Sequence, residues 1–162
     1  LPAKFCVSTI MPRTLSKPLH EVFGYFSPTI YYSLYSVDEG FRARWLPTAK
    51  PFREALTYLT DYQRFSKKIV KIHYAFIEGQ NDSSEDVRRV CDALDDAGLI
   101  CEFNLVRYNP ATPAQGRESQ PQVLAERLEY ITSRFKGRVK AVERVGFDVK
   151  ASCGMFVGGG DA

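Results

Sequence analysis

Four cysteines are the side chains of this sequence best suited to nucleophilic or soft-metal chemistry, and they are scattered along the chain. The thiolate is the reactive form of cysteine, both as a nucleophile and as a metal ligand. No two of the four form a C-x-x-C pair, and none has zinc-like spacing with the two histidines. Cys6 and Cys101 fall in strand patterns and Cys91 in a helical pattern, so we expect these three to be small buried residues. The fourth, Cys153, precedes a glycine near the end of the chain.

The number of histidines and the absence of three motifs argue against several further kinds of functional site. Two histidines are too few for a histidine-based metal site. His73 lies in the middle of a strand pattern. It fits either a core position with satisfied hydrogen bonds or a position facing a barrel lumen, and the core position is favoured. The sequence has no G-x-G-x-x-G after a strand, no G-x-x-x-x-G-K-[ST] and no G-x-S-x-G. These absences argue against a dinucleotide-binding fold, a P-loop protein and an α/β-hydrolase.

Short apolar runs of strand type alternate with amphipathic helical segments along the chain. The strand patterns cover residues 5–10, 29–36, 69–77, 101–108 and 139–144. The helical patterns are residues 16–26 with Ser16 as N-cap, residues 38–46, and three longer segments that start at Pro51, at Ser83 or Ser84, and near Pro121. Strands and helices that alternate at this spacing predict βα units around a mainly parallel sheet, with the helices on the outside.

Polar segments follow four of the predicted strands directly. In parallel βα folds the chemistry gathers at the carboxyl ends of the strands. The segments at these positions are Ser8–Thr9, residues 33–36, residues 78–82 and residues 108–110. Since any βα turn is polar, this pattern predicts where a site would lie and leaves its chemistry open.

Length, composition and charge limit the class of protein. The 162 residues suffice for one domain with a hydrophobic core. With 44% hydrophobic and 25% charged residues, and no apolar run long enough to span a bilayer, the chain has the balance of a soluble globular protein without a membrane partner. The net charge of +3 is too small to indicate nucleic-acid binding by itself. A basic stretch at 134–150 is explained either by solvated faces or by a phosphate-binding surface.

Five segments stand in a definite order along the chain. They are V-S-T at 7–9, Y-S-L-Y-S at 32–36, Y-A-F-I-E-G-Q-N-D at 74–82, N-L-V-R-Y-N-P at 104–110 and R-V-G-F-D-V-K-A-S-C-G at 144–154. This ordered set resembles the C-terminal part of the RlmN/Cfr family of radical-SAM rRNA adenine methyltransferases. The resemblance extends from about residue 5 to residue 157, and its closing pattern is G-x-D-x-x-A-x-C-G.

The resemblance implies an α/β fold, namely a partial (βα) barrel of the radical-SAM type with a mainly parallel sheet and outer helices. Residues 1–157 would form this portion of the barrel, and residues 158–162 a flexible glycine-rich tail. The implied substrate is an adenine of large-subunit rRNA or of tRNA, and the implied partners are rRNA, a ribosomal particle or tRNA. The implied cofactors are S-adenosylmethionine and an iron–sulfur cluster.

The resemblance also assigns roles to individual residues. In the family, a cysteine thiolate accepts a methyl group from S-adenosylmethionine and carries it to a ring carbon of adenine. The resemblance implies this catalytic role for Cys153, and the neighbouring Gly154 suits a flexible loop. It implies S-adenosylmethionine contacts by one residue of the first strand, three residues at the end of the second and one residue after the fourth: Ser8, Ser33, Leu34, Tyr35 and Asn109.

The sequence departs from the family at the cluster and at two site positions. The C-x-x-x-C-x-x-C motif that holds the family's cluster is absent, so we expect no metal ligands in this chain. Tyr35 stands where the family has histidine, and His73 where it often has glutamate. Because a parallel sheet is rarely left with a naked edge, we expect a missing upstream segment or a partner chain to cover the strand edge at Phe5–Ile10.

Three functional hypotheses follow, two of them from the resemblance. The first is the C-terminal half of a radical-SAM RNA methyltransferase, active only with a cluster-binding half. The second is a non-catalytic relative that serves as an RNA-binding or ribosome-associated structural subunit; an unrelated βα enzyme is a third and less favoured alternative. The basic stretch at 134–150 adjoins Cys153 and is the expected contact with the RNA backbone. We expect a cytoplasmic location, with a mitochondrial, ribosome-associated one as the alternative.

Overall fold

Five parallel strands, arranged in chain order, form the central sheet of the molecule. The computed structural model of the chain describes residues 3–110, 112–136 and 138–142. The strands are β1 (Cys6–Thr9), β2 (Thr29–Ser33), β3 (Val70–Tyr74), β4 (Cys101–Leu105) and β5 (Val139–Ala141). Crossovers of one hand between successive parallel strands place the connecting helices on one face of the sheet. The predicted α/β fold with a parallel sheet is confirmed, and the described sheet is open rather than closed into a barrel.

Side-chain caps mark the start of two of the described α-helices. The α-helices are α1 (Leu19–Phe23), α2 (Glu39–Trp45), α3 (Phe52–Ser66), α4 (Ser84–Asp96) and α5 (Pro121–Phe135), and short 3-10 turns span Gly24–Phe26 and Pro113–Gln115. The Asp38 side chain accepts a hydrogen bond of 2.7 Å from the Phe41 amide at the start of α2. The Ser83 hydroxyl accepts one of 3.0 Å from the Asp86 amide at the start of α4. Such caps satisfy amides that have no partner within the helix.

Several boundaries differ from the expectation. β2 ends at Ser33 rather than at residue 36, and β4 ends at Leu105 rather than at residue 108. The first helix begins only after Pro18, and its start has no side-chain cap, so the predicted Ser16 cap is wrong. The third strand leaves the ladder at Tyr74, whereas its apolar pattern continues to Ile77. Phe76 and Ile77 are nevertheless buried, because the turn after β3 is folded inward. Hydrophobicity reports burial rather than strand pairing, which explains why the pattern was too long.

The helix-facing side of the sheet forms the core. Val70, Ile72 and Tyr74 of β3 are buried, whereas the alternate residues Lys71 and His73 are not, as the two-residue period of a strand requires. The core continues with Ile30, Tyr32, Leu59, Leu94, Phe103 and Ile131. Cys91 and Cys101 are buried in it, as expected.

Cys6 does not follow the expectation of burial. It is exposed, because β1 pairs only with β2 among the described strands and Cys6 lies on the face of β1 that the helices do not cover. A strand pattern predicts alternation but does not tell which face is covered.

Polar side chains occupy the opposite face of the sheet, which we call the open face. Tyr31, Lys71 and Glu102 stand in register on adjacent strands. Lys71 and Glu102 form an ion pair of 2.6 Å. His73 is half-buried on the same face, so it does not occupy the core position that the sequence favoured.

Several expectations fall beyond the part of the chain that the structure describes. Cys153, residues 143–157 of the expected barrel portion and the glycine-rich tail at 158–162 all lie outside the described residues. Among the helices that are described, none combines the length and the apolar character that crossing a membrane requires.

Candidate functional site

An open cleft of about 620 Å³ lies at the carboxyl ends of the strands. Its walls come from the residues that follow β1 to β4, from α2 and from the turn before α5. The lining residues include Ile10, Ser33, Tyr35, Phe41, Arg44, Trp45, Leu46, Ile77, Tyr108 and Asn109. A larger groove of about 900 Å³ lies between α3 and α4 on the helical side, and it contains no predicted site residue. The cleft therefore occupies the place where parallel βα folds bind ligands.

The cleft brings together three of the five predicted cofactor contacts. Ser33 and Tyr35 come from the end of β2, and Asn109 comes from the segment after β4. Because both strands run in the same direction in one sheet, residues distant in sequence meet at this edge.

The other two predicted contacts are placed differently. Ser8 is exposed on β1, in register with Tyr31, and lies outside the cleft lining. The Leu34 side chain is fully buried in the core, so a ligand in the cleft could reach only the main chain of this residue.

An aromatic wall, formed by Phe41, Trp45 and Tyr108, lines one side of the cleft. The rings of Phe41 and Trp45 are stacked with centroids 5.7 Å apart, and Trp45 meets Tyr108 edge to face at 6.4 Å. Phe41 and Trp45 were not predicted as site residues, whereas Tyr108 belongs to the segment 108–110 that the sequence placed at the strand ends. The sequence did contain a signal for an aromatic surface, because Phe41 and Trp45 are four residues apart and therefore share one side of α2.

Two buried polar atoms of the cleft residues have no hydrogen-bond partner within the described ranges. They are Nε1 of Trp45 and Oδ1 of Asn109. The Asn109 amide nitrogen donates a bond of 3.3 Å to the Arg107 carbonyl. An unpaired buried polar atom is costly, so a bound polar ligand would find a donor and an acceptor here.

The turn between β4 and α5 is held against the strand ends by an ion pair. Glu118 binds the Arg107 guanidinium, with one bond of 2.6 Å, and accepts a bond of 3.1 Å from the Tyr108 amide. The hydrogen bond that Arg107 donates to the Glu118 carboxylate raises the pKa of Arg107. An isolated antiparallel bridge joins Glu118 to Ile77. The segment that contains Tyr108 is thus fixed to the ends of β3 and β4.

The Tyr108 phenol itself is oriented by the same turn. It donates a hydrogen bond of 2.6 Å to the Gln115 carbonyl. Burial raises the pKa of Tyr108 above its ordinary value of 10.0, so this side chain acts as a neutral donor and a ring surface.

The described part of the chain offers no metal centre. No group of three or more histidine, cysteine, aspartate or glutamate side chains is placed to hold a metal ion within residues 3–110, 112–136 and 138–142. The thiols of Cys91 and Cys101 are inert, because burial raises the pKa of each to about 12. An iron–sulfur cluster therefore finds no ligand set among these residues.

The basic stretch divides into two parts. Arg134 forms ion pairs with Asp92 at 3.0 Å and with Asp95 at 2.6 Å, so its charge is paired with carboxylates of the same chain. Lys136, Arg138 and Lys140 are exposed around β5. The remaining basic residues of the stretch lie outside the described ranges.

Comparison with known proteins finds curated relatives that are named as RNA methyltransferases. No family model matches the sequence. A dual-specificity RNA methyltransferase RlmN from Sorangium cellulosum is 32% identical over 133 residues, which are 77% of this chain and 32% of that protein. A ribosomal RNA large subunit methyltransferase Cfr from Staphylococcus warneri is 26% identical over 170 aligned positions, covering 97% of this chain and 46% of that protein. The chain thus spans about a third of the first relative and just under half of the second.

Solved structures agree on the fold. A radical SAM methyltransferase from Sphaerobacter thermophilus has a TM-score of 0.74 and 24% identity, covering 93% of this chain and 43% of the other. A domain of pyruvate-formate lyase-activating enzyme from Bacteroides vulgatus has a TM-score of 0.66 and 16% identity, covering 86% and 80%. Over most of its length the chain is homologous to the C-terminal part of proteins named RlmN and Cfr.

Proposed function

We propose that this chain is the C-terminal part of an S-adenosylmethionine-dependent RNA methyltransferase and that its cleft holds part of the cofactor. The observation that carries the proposal is the convergence of Ser33, Tyr35 and Asn109 in one cleft at the carboxyl ends of the strands. The motifs that suggested these residues lie far apart in the sequence, yet they supply one surface. The names of the relatives support the same class of activity.

The residues of the cleft fit S-adenosylmethionine. A cleft of about 620 Å³ is within the usual size range of small-molecule sites, about 300–1,000 Å³. The aromatic wall offers ring faces to the adenine, and the unpaired Trp45 Nε1 and Asn109 Oδ1 offer a donor and an acceptor. When bound, S-adenosylmethionine supplies the methyl group.

Cys153 is the proposed carrier of that group. It stands in the G-F-D-V-K-A-S-C-G segment that resembles the family's closing motif. A carrier is needed because a ring carbon of adenine is a poor nucleophile toward a sulfonium, and a thiolate accepts a methyl group readily. The proposed substrate is an adenine of large-subunit rRNA, with tRNA as a second class.

The cluster-binding function is proposed to lie outside this chain. The described residues offer no set of cluster ligands, and the whole sequence lacks C-x-x-x-C-x-x-C. No other described strand pairs with the outer edge of β1, which supports an upstream segment or a partner chain at this position. Phe5 and Phe26 are 51% and 68% exposed beside this edge, with rings 5.2 Å apart, and they would be covered by the same segment.

The test of cofactor binding uses the protein as the organism makes it. Trp45 is the only tryptophan of this chain, and it lines the cleft. We expect S-adenosylmethionine to change the fluorescence of Trp45 on titration and a Trp45→Phe variant to lack this component. A calorimetric titration gives an independent binding constant. Absence of binding in both measurements would overturn the proposal.

The non-catalytic alternative is favoured by one observation, namely that Tyr35 stands where the family has histidine. The two functions are separated by an assay of methyl transfer from labelled S-adenosylmethionine to rRNA. RNA binding together with methyl transfer supports the enzyme, whereas RNA binding without S-adenosylmethionine binding and without transfer supports the structural subunit.

A further inference from the structure

The segment that follows β2 has an unusual backbone. Tyr35 has a φ of 57°, in the left-handed region that residues other than glycine seldom adopt. The Ser36 amide donates a hydrogen bond of 2.7 Å to the Leu34 carbonyl, only two residues back. This bond around a central residue of positive φ is the pattern of the rarer, strained type of γ-turn. The strain lies at the cleft, because Tyr35 is one of its lining residues.

Arg42 holds this turn from the side of α2. Its side chain is buried, with 2% of its surface exposed. Its Nη1 donates to the carbonyls of Leu34 at 2.9 Å and Ser36 at 3.3 Å, and its Nη2 donates to the carbonyl of Lys50 at 3.1 Å. A buried guanidinium is expensive unless such acceptors surround it. Arg42 therefore donates hydrogen bonds to the carbonyls of both residues that flank Tyr35.

Asn81 holds the carbonyl between them. It is fully buried, and its Nδ2 donates to the Tyr35 carbonyl at 2.7 Å and to the Ala75 carbonyl at 2.9 Å. Its Oδ1 accepts a bond of 2.7 Å from the Ile77 amide. The side chain thus links the end of β2 to the turn after β3. Three consecutive carbonyls, those of residues 34, 35 and 36, each accept a bond from a buried side chain.

We propose that Arg42 and Asn81 form a carbonyl clamp that holds the strained turn at Tyr35, and that these two are positioning residues for the cofactor site. The assignment of a cofactor rests on the proposed function. The clamp acts through Ser33 and Tyr35, since rotation of the peptide planes around Tyr35 would turn both side chains relative to the cleft. Neither Arg42 nor Asn81 is among the residues that line the cleft.

The clamp also connects the turn to the aromatic wall. Arg42 belongs to α2, which carries Phe41 and Trp45. Movement of the turn would therefore shift the wall as well as Ser33. Strained backbone persists only where its surroundings over-determine it, and such positions cluster at functional sites. A strand can end in an ordinary turn without two buried polar side chains, so a purely structural role leaves the strain at Tyr35 unexplained.

The test compares clamp variants with a matched variant elsewhere. Asn81→Ala removes the donor to Tyr35, and Arg42→Lys keeps the positive charge but lacks the two-pronged guanidinium. Tyr62→Phe is the control, because it removes a buried bond of 2.7 Å to the Pro28 carbonyl, at the other end of β2 from the cleft. We expect both clamp variants to weaken S-adenosylmethionine binding about tenfold or more, since a loosened site loses its preorganisation. The control should bind within about twofold of the wild type.

Hydrogen exchange of the wild type and variants makes the clamp testable without the cofactor. The Leu34 amide donates to the His73 carbonyl of β3 and the Ser36 amide donates to the Leu34 carbonyl within the turn. We expect both amides to exchange faster in both clamp variants than in Tyr62→Phe. Unchanged exchange of these amides would overturn the clamp. Equal weakening of cofactor binding in the control would overturn the positioning role.

The clamp and the proposed function fail in different ways. If the wild type does not bind S-adenosylmethionine, the proposed function fails, and the exchange of Leu34 and Ser36 still decides whether the clamp exists. If Asn81→Ala does not fold, the milder Arg42→Lys carries both measurements. A folded Arg42→Lys protein with wild-type binding and wild-type exchange would contradict the proposal.

Discussion

The rings of Tyr31 and His73 meet on the open face of the sheet, with their centroids 4.9 Å apart. The two residues come from adjacent parallel strands, and the contact half-buries the imidazole. Burial lowers the pKa of His73 below its ordinary value of 6.5, because an imidazolium loses hydration there. This side chain is therefore held neutral in the folded protein over a wider pH range than in the unfolded chain.

The position of His73 predicts a pH dependence of stability. The unfolded chain takes up a proton near pH 6.5, whereas the folded protein resists it, so stability is fully present above this value and is lost as the pH falls through the lower folded pKa. Urea unfolding between about pH 8 and 5 should show this decline, and His73→Gln should reduce it. The control is His20→Gln, which removes the other histidine of the chain and should leave the decline in place. An identical decline in His73→Gln would contradict the prediction.

Replacement of Phe103 by alanine should destabilise the fold strongly. Phe103 is fully buried in β4 and meets Phe135 of α5 edge to face, with centroids 4.8 Å apart. The cavity left by Phe103→Ala should lower the free energy of unfolding by about 3–5 kcal/mol. Phe65→Ala, at a position 56% exposed, should lower it by less than about 1 kcal/mol. Urea denaturation of both variants checks the difference, and equal losses would show that β4 and α5 do not pack as described.

Two substitutions of Tyr35 separate its backbone from its side chain. Tyr35→Asn and Tyr35→Val both remove the ring, but asparagine tolerates the left-handed region and a β-branched residue does not. The valine variant should therefore unfold about 1 kcal/mol more easily than the asparagine variant. Thermal or urea unfolding measures the difference. Equal stability would mean that position 35 is not held at positive φ in solution.

Cys153→Ala should abolish methyl transfer and leave the fold intact. The expectation follows from the proposed carrier role, since alanine has no thiolate to accept a methyl group. Transfer of labelled methyl from S-adenosylmethionine to rRNA is the measurement, and circular dichroism reports the fold. Cys6→Ala is the matched control, because this exposed thiol has no proposed role. Retained transfer by the Cys153 variant would exclude the carrier mechanism.

We predict that Lys136, Arg138 and Lys140, the exposed residues of the basic stretch that the structure describes, contact an RNA backbone. They are exposed and close together around β5, whereas Arg134 is occupied by Asp92 and Asp95. Changing all three to alanine should weaken RNA binding and reduce the slope of log K against log salt by about 0.7 for each phosphate that is no longer neutralised. Filter binding at several salt concentrations measures the slope. Arg134→Ala, which breaks intramolecular pairs, should leave the slope unchanged, and an unaltered slope in the triple variant would exclude this surface.

Much of the fold could be predicted from local signals. Pro121 and Asp38 mark helix starts because a first-turn proline and a side-chain cap act within a few residues. The strand of Val70–Tyr74 followed from its apolar run, which overshot only where the chain stays buried after leaving the ladder. Cys6 could not be predicted, because its exposure depends on which strand neighbours β1 and not on the pattern of β1 itself.

The sequence by itself determined the alternation of strands and helices, the parallel α/β class and the ordered motifs that resemble those of the RlmN and Cfr proteins. Only the tertiary structure decided that Ser33, Tyr35 and Asn109 share one cleft while Leu34 faces the core. It also brought Arg42 and Asn81 onto the turn at Tyr35. The physical reason is the distance along the chain over which each effect acts. Propensity and periodicity act over a few residues, whereas a site at the ends of parallel strands depends on the register and the crossover between segments far apart in the chain.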